Sequence, residues 1–102
     1  MPKIEAGPSA DIAPGESTIV EAGEREIAVF NVDGTFYAIE NTCCHRGGPL
    51  GEGELEGAVV TCPWHGWEFD VTTGRCHAPM PDKEVASFPV HEENGALFVE
   101  VP

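Results

Sequence analysis

The sequence predicts an all-β fold, an antiparallel sandwich or barrel with a loop-rich subdomain inserted into its middle. Three observations carry this prediction. No helical period of useful length runs anywhere in the 102 residues. Two pairs of β-rich runs are each joined by a two-residue turn signal, Asp33-Gly34 in one and Asn94-Gly95 in the other. Between these hairpins, from Asn41 to Pro81, stand all four cysteines, three of the four histidines, both tryptophans, four prolines and seven glycines. A chain of this length is expected to form one domain. Its base is expected over residues 1–40 and 75–102, and the inserted subdomain over 41–74.

The segment before Ser17 holds an edge strand at best, around Lys3 to Ala6. After the Pro14-Gly15 turn, STIVEA (Ser17 to Ala22) is β-branched at its centre and reads as a strand. REIAVFNV (Arg25 to Val32) and TFYAIE (Thr35 to Glu40) make the first hairpin. Inside the insertion, AVVTC (Ala58 to Cys62), WEFDV (Trp67 to Val71) and a return after Thr73-Gly74 are expected as short strands. ASFPVHEE (Ala86 to Glu93) and ALFVEV (Ala96 to Val101) make the last hairpin.

Five basic residues stand against eighteen acidic ones, a net charge of −13 with neutral histidines. That balance argues against nucleic acid and anionic membrane surfaces, both of which require Lys/Arg clusters. It suits docking on a basic partner, with electrostatic steering of the encounter, and equally suits simple solubility. The N-terminal residues have no apolar signal core. The longest apolar runs, such as Ile27 to Phe30, are far too short to span a bilayer. A soluble, cytoplasmic monomer is expected. In that compartment, clustered Cys and His point to metal or redox chemistry rather than to disulfides.

Two stretches carry that chemistry: NTCCHRGGPL (Asn41 to Leu50) and CPWHGWEFD (Cys62 to Asp70). In extended chain, residues i and i+2 face the same side, so Cys43 and His45 can converge while Cys44 points away. In the second stretch Cys62 and His65 flank a tight turn begun by Pro63. Each loop thus offers one thiolate and one imidazole, with 16 residues between His45 and Cys62. Four such ligands suit a structural zinc site. They also suit a [2Fe–2S] cluster in which one iron takes two cysteines and the other two histidines. A zinc finger groups its histidines on a helix, and none is expected here.

At these residues the sequence resembles the Rieske iron–sulfur proteins. The resemblance implies a Rieske-like fold and one [2Fe–2S] cluster per chain. It implies that Cys43 and Cys62 bind the inner iron, and that His45 and His65 bind the outer iron near the surface. Gly47, Gly48 and Gly66 would let backbone N–H groups approach the sulfides, or would be ordinary turn glycines. Leu50 would cap the cluster or be a core leucine. Pro79-Met80-Pro81 is similar to the family's proline loop over the cluster, or is plain surface loop. Cys76 is expected to be a small packed thiol, and His77 and His91 to be ordinary surface and strand residues.

High-potential members of the family carry a serine and a tyrosine two and four residues beyond the second ligand histidine, and a cysteine cross-link between the loops. Here those positions are Trp67 and Phe69, and Gly48 and Trp64. The resemblance therefore implies a soluble, low-potential ferredoxin. It would pass single electrons from a flavin-dependent reductase to a terminal oxygenase with a basic docking face, as in aromatic-ring dioxygenase systems. No catalytic apparatus is visible. The alternatives are a Rieske subunit of another complex, such as a nitrite or arsenite oxidoreductase, a zinc-binding interaction module, and a redox sensor using Cys44 or Cys76. The alternating Glu52, Glu54 and Glu56 are expected either to orient a basic partner or to form a solvated turn.

Two thiolates and two neutral imidazoles leave the oxidised cluster uncharged, whereas four thiolates would add two negative charges. Histidine ligation therefore raises the potential into the range of roughly −150 to +300 mV. Without the hydroxyl donors, the midpoint is expected near the bottom of that range and falling as pH rises through the ionisation of the oxidised-state histidines. Redox titration across pH checks this: a midpoint above about +100 mV, or one flat into the alkaline range, would contradict it.

Overall fold

A computed structural model describes residues 3–43, 48–64, 66–78 and 82–101. Eleven strands among them form three antiparallel sheets. The first sheet joins β1 (Lys3–Pro8), β11 (Ala96–Glu100) and β10 (Val90–Glu93), in that spatial order. The second joins β2 (Ser17–Ala22), β3 (Arg25–Val32), β4 (Thr35–Glu40) and the two-residue β9 (Ser87–Phe88). The third is the insertion: β5 (Glu54–Glu56), β6 (Val59–Thr61), β7 (Glu68–Asp70) and β8 (Cys76–Ala78). No described helix is long and apolar enough to cross a membrane.

Both expected hairpins form. Asp33 and Gly34 have φ of 51° and 92°, and Asn94 and Gly95 have 52° and 81°. Positive φ at both central residues is what a type I′ turn requires, and Asn, Asp and Gly tolerate it most readily. The last long run, however, is not one strand. Ser87 and Phe88 pair with Ile39 and Ala38 in the second sheet, whereas Val90 to Glu93 pair with β11 in the first. Pro89 stands at the crossing, where its missing N–H costs no ladder bond, and its carbonyl accepts from Glu100 N at 3.0 Å.

Strand β3 is buried on both faces. Its side chains alternate between two cores. Ile27 and Val29 join Ile12, Ala38, Phe88, Leu97, Val99 and Val101 between the first two sheets. Ala28 and Phe30 join Ile39, Leu50, Val60, Phe69, Val71 and Val85 against the insertion, and this second core also contains Cys43, Cys62 and Cys76. β4 divides in the same way, Ala38 to one core and Ile39 to the other.

The insertion is tied to the base at Asn41, which is only 2% exposed. Its backbone N–H donates to the Glu26 carbonyl at 2.9 Å and its carbonyl accepts from Leu50 N at 2.7 Å. Its side-chain oxygen accepts from Gly51 N at 2.6 Å, and its amide nitrogen donates to Glu26 at 3.3 Å. Gly51 must approach this closely, since a Cβ there would lie 2.4 Å from Ile19 and 2.9 Å from the Asn41 oxygen. The Ser17 hydroxyl donates to the Gly51 carbonyl at 2.7 Å. Asn41→Ala would leave the Gly51 N–H unsatisfied, and the expected loss of about 1–3 kcal/mol is measurable by urea unfolding. A variant as stable as the parent would show that Asn41 does not anchor the insertion.

Candidate metal centre

The first loop leaves the second sheet at Asn41 and returns to it at Leu50. Thr42 bridges Pro49, and Cys43 N donates to the Gly48 carbonyl at 2.9 Å, so the loop is closed across its neck. The second loop is closed as tightly. Cys62 N donates to the Trp67 carbonyl at 2.7 Å, and Gly66 N donates to the Cys62 carbonyl at 3.0 Å. It connects β6 to β7, which are paired in register from Val59↔Asp70 to Thr61↔Glu68. The structure therefore presents each cysteine at the neck of a short loop held by a strand pair or bridge.

Cys43 and Cys62 are both 2% exposed and lie in the same apolar core as Leu50, which is fully buried. The two loops meet at Gly48. A Cβ built there would lie 2.6 Å from Cys62 Sγ and 3.1 Å from Trp64 Cγ. Gly48 is thus required by close approach, and it leaves a cradle beside the Cys62 sulfur. A thiolate in such surroundings is expensive unless a cation compensates it. Two buried thiols brought by facing loops fit a cluster that takes one cysteine from each. His45, His65, Gly47 and Cys44 lie outside the described residues, as do Pro79, Met80 and Pro81. Among the described residues no group of three or more His, Cys, Asp or Glu converges on a metal position.

Gly66 takes the turn role, one of the two expected for it. Its N–H donates to the Cys62 carbonyl. Its φ of +75° is the reason for glycine at the end of this turn. Trp67 contributes its carbonyl to the same turn, and its half-buried ring stacks on the fully buried Phe69 at 6.5 Å between centroids and 28° between planes. Neither side chain has a hydroxyl. Cys76 is a buried free thiol whose Sγ donates to the Ala78 carbonyl at 3.2 Å. His77 is exposed on β8. His91 is exposed on β10 and pairs with Glu100, and hydrogen bonding to His91 holds the Glu100 carboxyl below its ordinary value.

The register of the third sheet sorts its residues sharply. Leu55, Val60 and Phe69 form one cross-strand row that faces the core. The neighbouring rows, Glu54–Thr61–Glu68 and Glu56–Val59–Asp70, face outward. Four carboxylates thus share the outer face. The ion pairs among the described residues, Lys3–Glu93, Arg25–Glu40 and His91–Glu100, lie elsewhere. Part of the glutamate-rich segment expected as a possible turn is therefore strand β5. Its sequence hid this, because alternating glutamates have low β-propensity and only one apolar residue, Leu55, marks the inward face.

Sequence reasoning did not single out Asn41 or Gly51, whose signal was only a polar residue ending an apolar strand. Trp64 was noted only as the counterpart of a cross-linking cysteine. It is the large apolar side chain left exposed among the described residues, at 58%.

Comparison with known proteins bears on this arrangement. The family model described as Rieske [2Fe-2S] domain matches residues 3–89. The chain is 38% identical to the 3-phenylpropionate/cinnamic acid dioxygenase ferredoxin subunits of Escherichia coli (strain K12) and Shigella flexneri serotype 5b (strain 8401), over 100% of this chain and 96% of each relative. Among solved structures it is similar to Sphingomonas yanoikuyae B1 ferredoxin, with a TM-score of 0.90 and 30% identity, over 99% of this chain and 100% of that one. It is also similar to a chain in a complex of reduced oxygenase and oxidized ferredoxin in carbazole 1,9a-dioxygenase. There the TM-score is 0.90 and the identity 34%, over 95% of this chain and 91% of that one. The match over residues 3–89 and the buried cysteine pair agree: the chain belongs to the Rieske [2Fe-2S] domain family and carries one such cluster.

Proposed function

We propose that this protein is a cytoplasmic, monomeric one-electron carrier that accepts electrons from a flavin-dependent reductase and delivers them to the terminal oxygenase of an aromatic-ring dioxygenase system. The observation that carries this reading is the pair of buried cysteines on facing loops. The names of the relatives, ferredoxin subunits of a dioxygenase, support the direction of transfer. We place the inserted cluster-binding part over about residues 41–78, past the expected boundary at 74, because β8 (Cys76–Ala78) pairs with β7 in the third sheet.

In this reading Cys43 and Cys62 hold the inner iron, and His45 and His65 hold the outer one. The cluster supplies the one-electron chemistry. The chain supplies the rest. Cys43 and Cys62 stay out of water at the loop necks. Gly48 admits the close approach of the first loop to the second, and Leu50 fills the core beneath them. Trp67 and Phe69 offer no hydroxyl to withdraw charge, which keeps the potential low. In this reading Cys44 is not a ligand, because the i, i+2 spacing pairs Cys43 with His45. Cys44→Ser is therefore expected to retain the cluster's visible absorption, and Cys43→Ser to abolish it; the reverse result would shift the first loop's register by one residue.

The outer face of the third sheet is the docking surface for a basic partner. Glu54, Glu56, Glu68 and Asp70 lie side by side on it, and Glu52 lies in the short turn just before β5. Exposed charge of one sign speeds encounter and does so less as salt rises. Stopped-flow transfer from reductase to this protein, and from this protein to oxygenase, is the test. The double charge reversal Glu54→Lys/Glu68→Lys is expected to slow encounter roughly tenfold at low ionic strength and to flatten its salt dependence. Unchanged rates and salt dependence would remove this face from docking, and a reduced protein that no terminal oxygenase reoxidises would overturn the function.

A further inference from the structure

The two loops are in contact through atoms of the chain itself, independently of any metal. Gly48 of the first loop is buried and seated on the second. A Cβ at this position would lie 3.2 Å from Trp64 Cβ, 3.1 Å from Trp64 Cγ and 2.6 Å from Cys62 Sγ. The backbone of one loop is therefore wedged against two side chains of the other, with no space even for a methyl group. Trp64 is otherwise placed badly for an indole. It is 58% exposed and lies outside both cores. What its root borders is the space a Cβ on Gly48 would occupy, and the Cys62 sulfur borders that same space.

Each loop is firm at its neck, through the Cys43–Gly48 bond in one and the Cys62–Trp67 and Gly66–Cys62 bonds in the other. Firm necks hold the two ends of each loop together. They do not fix the distance between the loops, which side-chain contact has to set. A contact in which one partner is glycine is well suited to that task, because a backbone has no rotamer to change.

We propose that Trp64 is a positioning residue for the cluster: its indole root clamps Gly48, and this clamp holds the Cys62 sulfur in register with the first loop. The proposal rests on the reading of Cys43 and Cys62 as ligands. A clamp of this kind acts on the ligand geometry and therefore on both the lifetime and the potential of the cluster. It has little effect on the folding of the base sheets, from which Trp64 stands apart.

The test uses the purified holoprotein alone, so that partner docking plays no part. Visible absorption is followed during cluster loss in guanidinium with a chelator, and the midpoint potential is measured, for the parent, Trp64→Ala, Trp64→Phe and Gly48→Ala. Trp64→Ala, which keeps Cβ but loses Cγ and the ring, is expected to lose its cluster roughly tenfold faster and with a shifted potential. Trp64→Phe restores a ring on the same root and is expected to recover most of both. Gly48→Ala, which forces a methyl against Cys62 Sγ, is expected to be at least as damaging as Trp64→Ala. If Trp64→Ala does not assemble a cluster at all, assembly in Trp64→Phe still supports the clamp, and failure of both overturns it. A Trp64→Ala protein with the parent's rate and potential also overturns it. The ligand reading fails separately, through retention of the cluster in Cys43→Ser.

Discussion

Strand β3 is the constraint on which the rest of the structure depends. It is buried on both faces, with Ile27 and Val29 on one side and Ala28 and Phe30 on the other. A slip of one residue would exchange these sets, so pairing with β2 and β4 is strongly specified. One face supports the first sheet and gives the base its stability. The other supports the insertion, and there the core accepts Cys43 and Cys62 alongside Leu50 and Phe69. The buried cysteine pair is thus built onto the back of a strand that the fold needs anyway.

Burial of the two cysteines separates the chemistry from the charge. The chain carries −13, yet in the sheet of the insertion the carboxylates of Glu54, Glu56, Glu68 and Asp70 all lie in the outward rows, and Leu55, Val60 and Phe69 in the inward one. Bringing thiolates into apolar surroundings is costly without a compensating cation. The same surroundings favour a site whose total charge is small, as two thiolates and two neutral imidazoles would make it. Under the docking proposal, the acidic outer face would serve recognition and the apolar inner one the potential.

Much of this was legible in the sequence, and what was not has physical reasons. The Asp33-Gly34 and Asn94-Gly95 hairpins were readable because only a few residue types accept two successive positive φ angles. The motifs marked Cys43 and Cys62 on two loops, and the structure buries both in one core; His45 and His65 lie outside the described residues. Pro89 was visible, but its role in moving the chain from one sheet to the other was not, since that depends on partners fifty residues away as well as on the nearby β11. Strand β5 was obscured by its glutamates. Of the two roles expected for Gly66, sulfide approach or an ordinary turn, the structure shows the turn, its N–H donating to the Cys62 carbonyl. Gly48 and Trp64 were each conspicuous, but their contact is between loops and leaves no pattern along the chain.

The central claim is that the two loops supply one cysteine and one histidine each to a single [2Fe–2S] cluster. Pulsed EPR of the reduced protein, with histidine labelled with nitrogen-15, tests it most directly. The account predicts two directly coordinated histidine nitrogens, and the loss of one of them in His45→Cys and in His65→Cys. A reduced cluster with no histidine nitrogen coupling would mean four sulfur ligands and would contradict the account, as would a metal centre that shows no EPR signal on reduction.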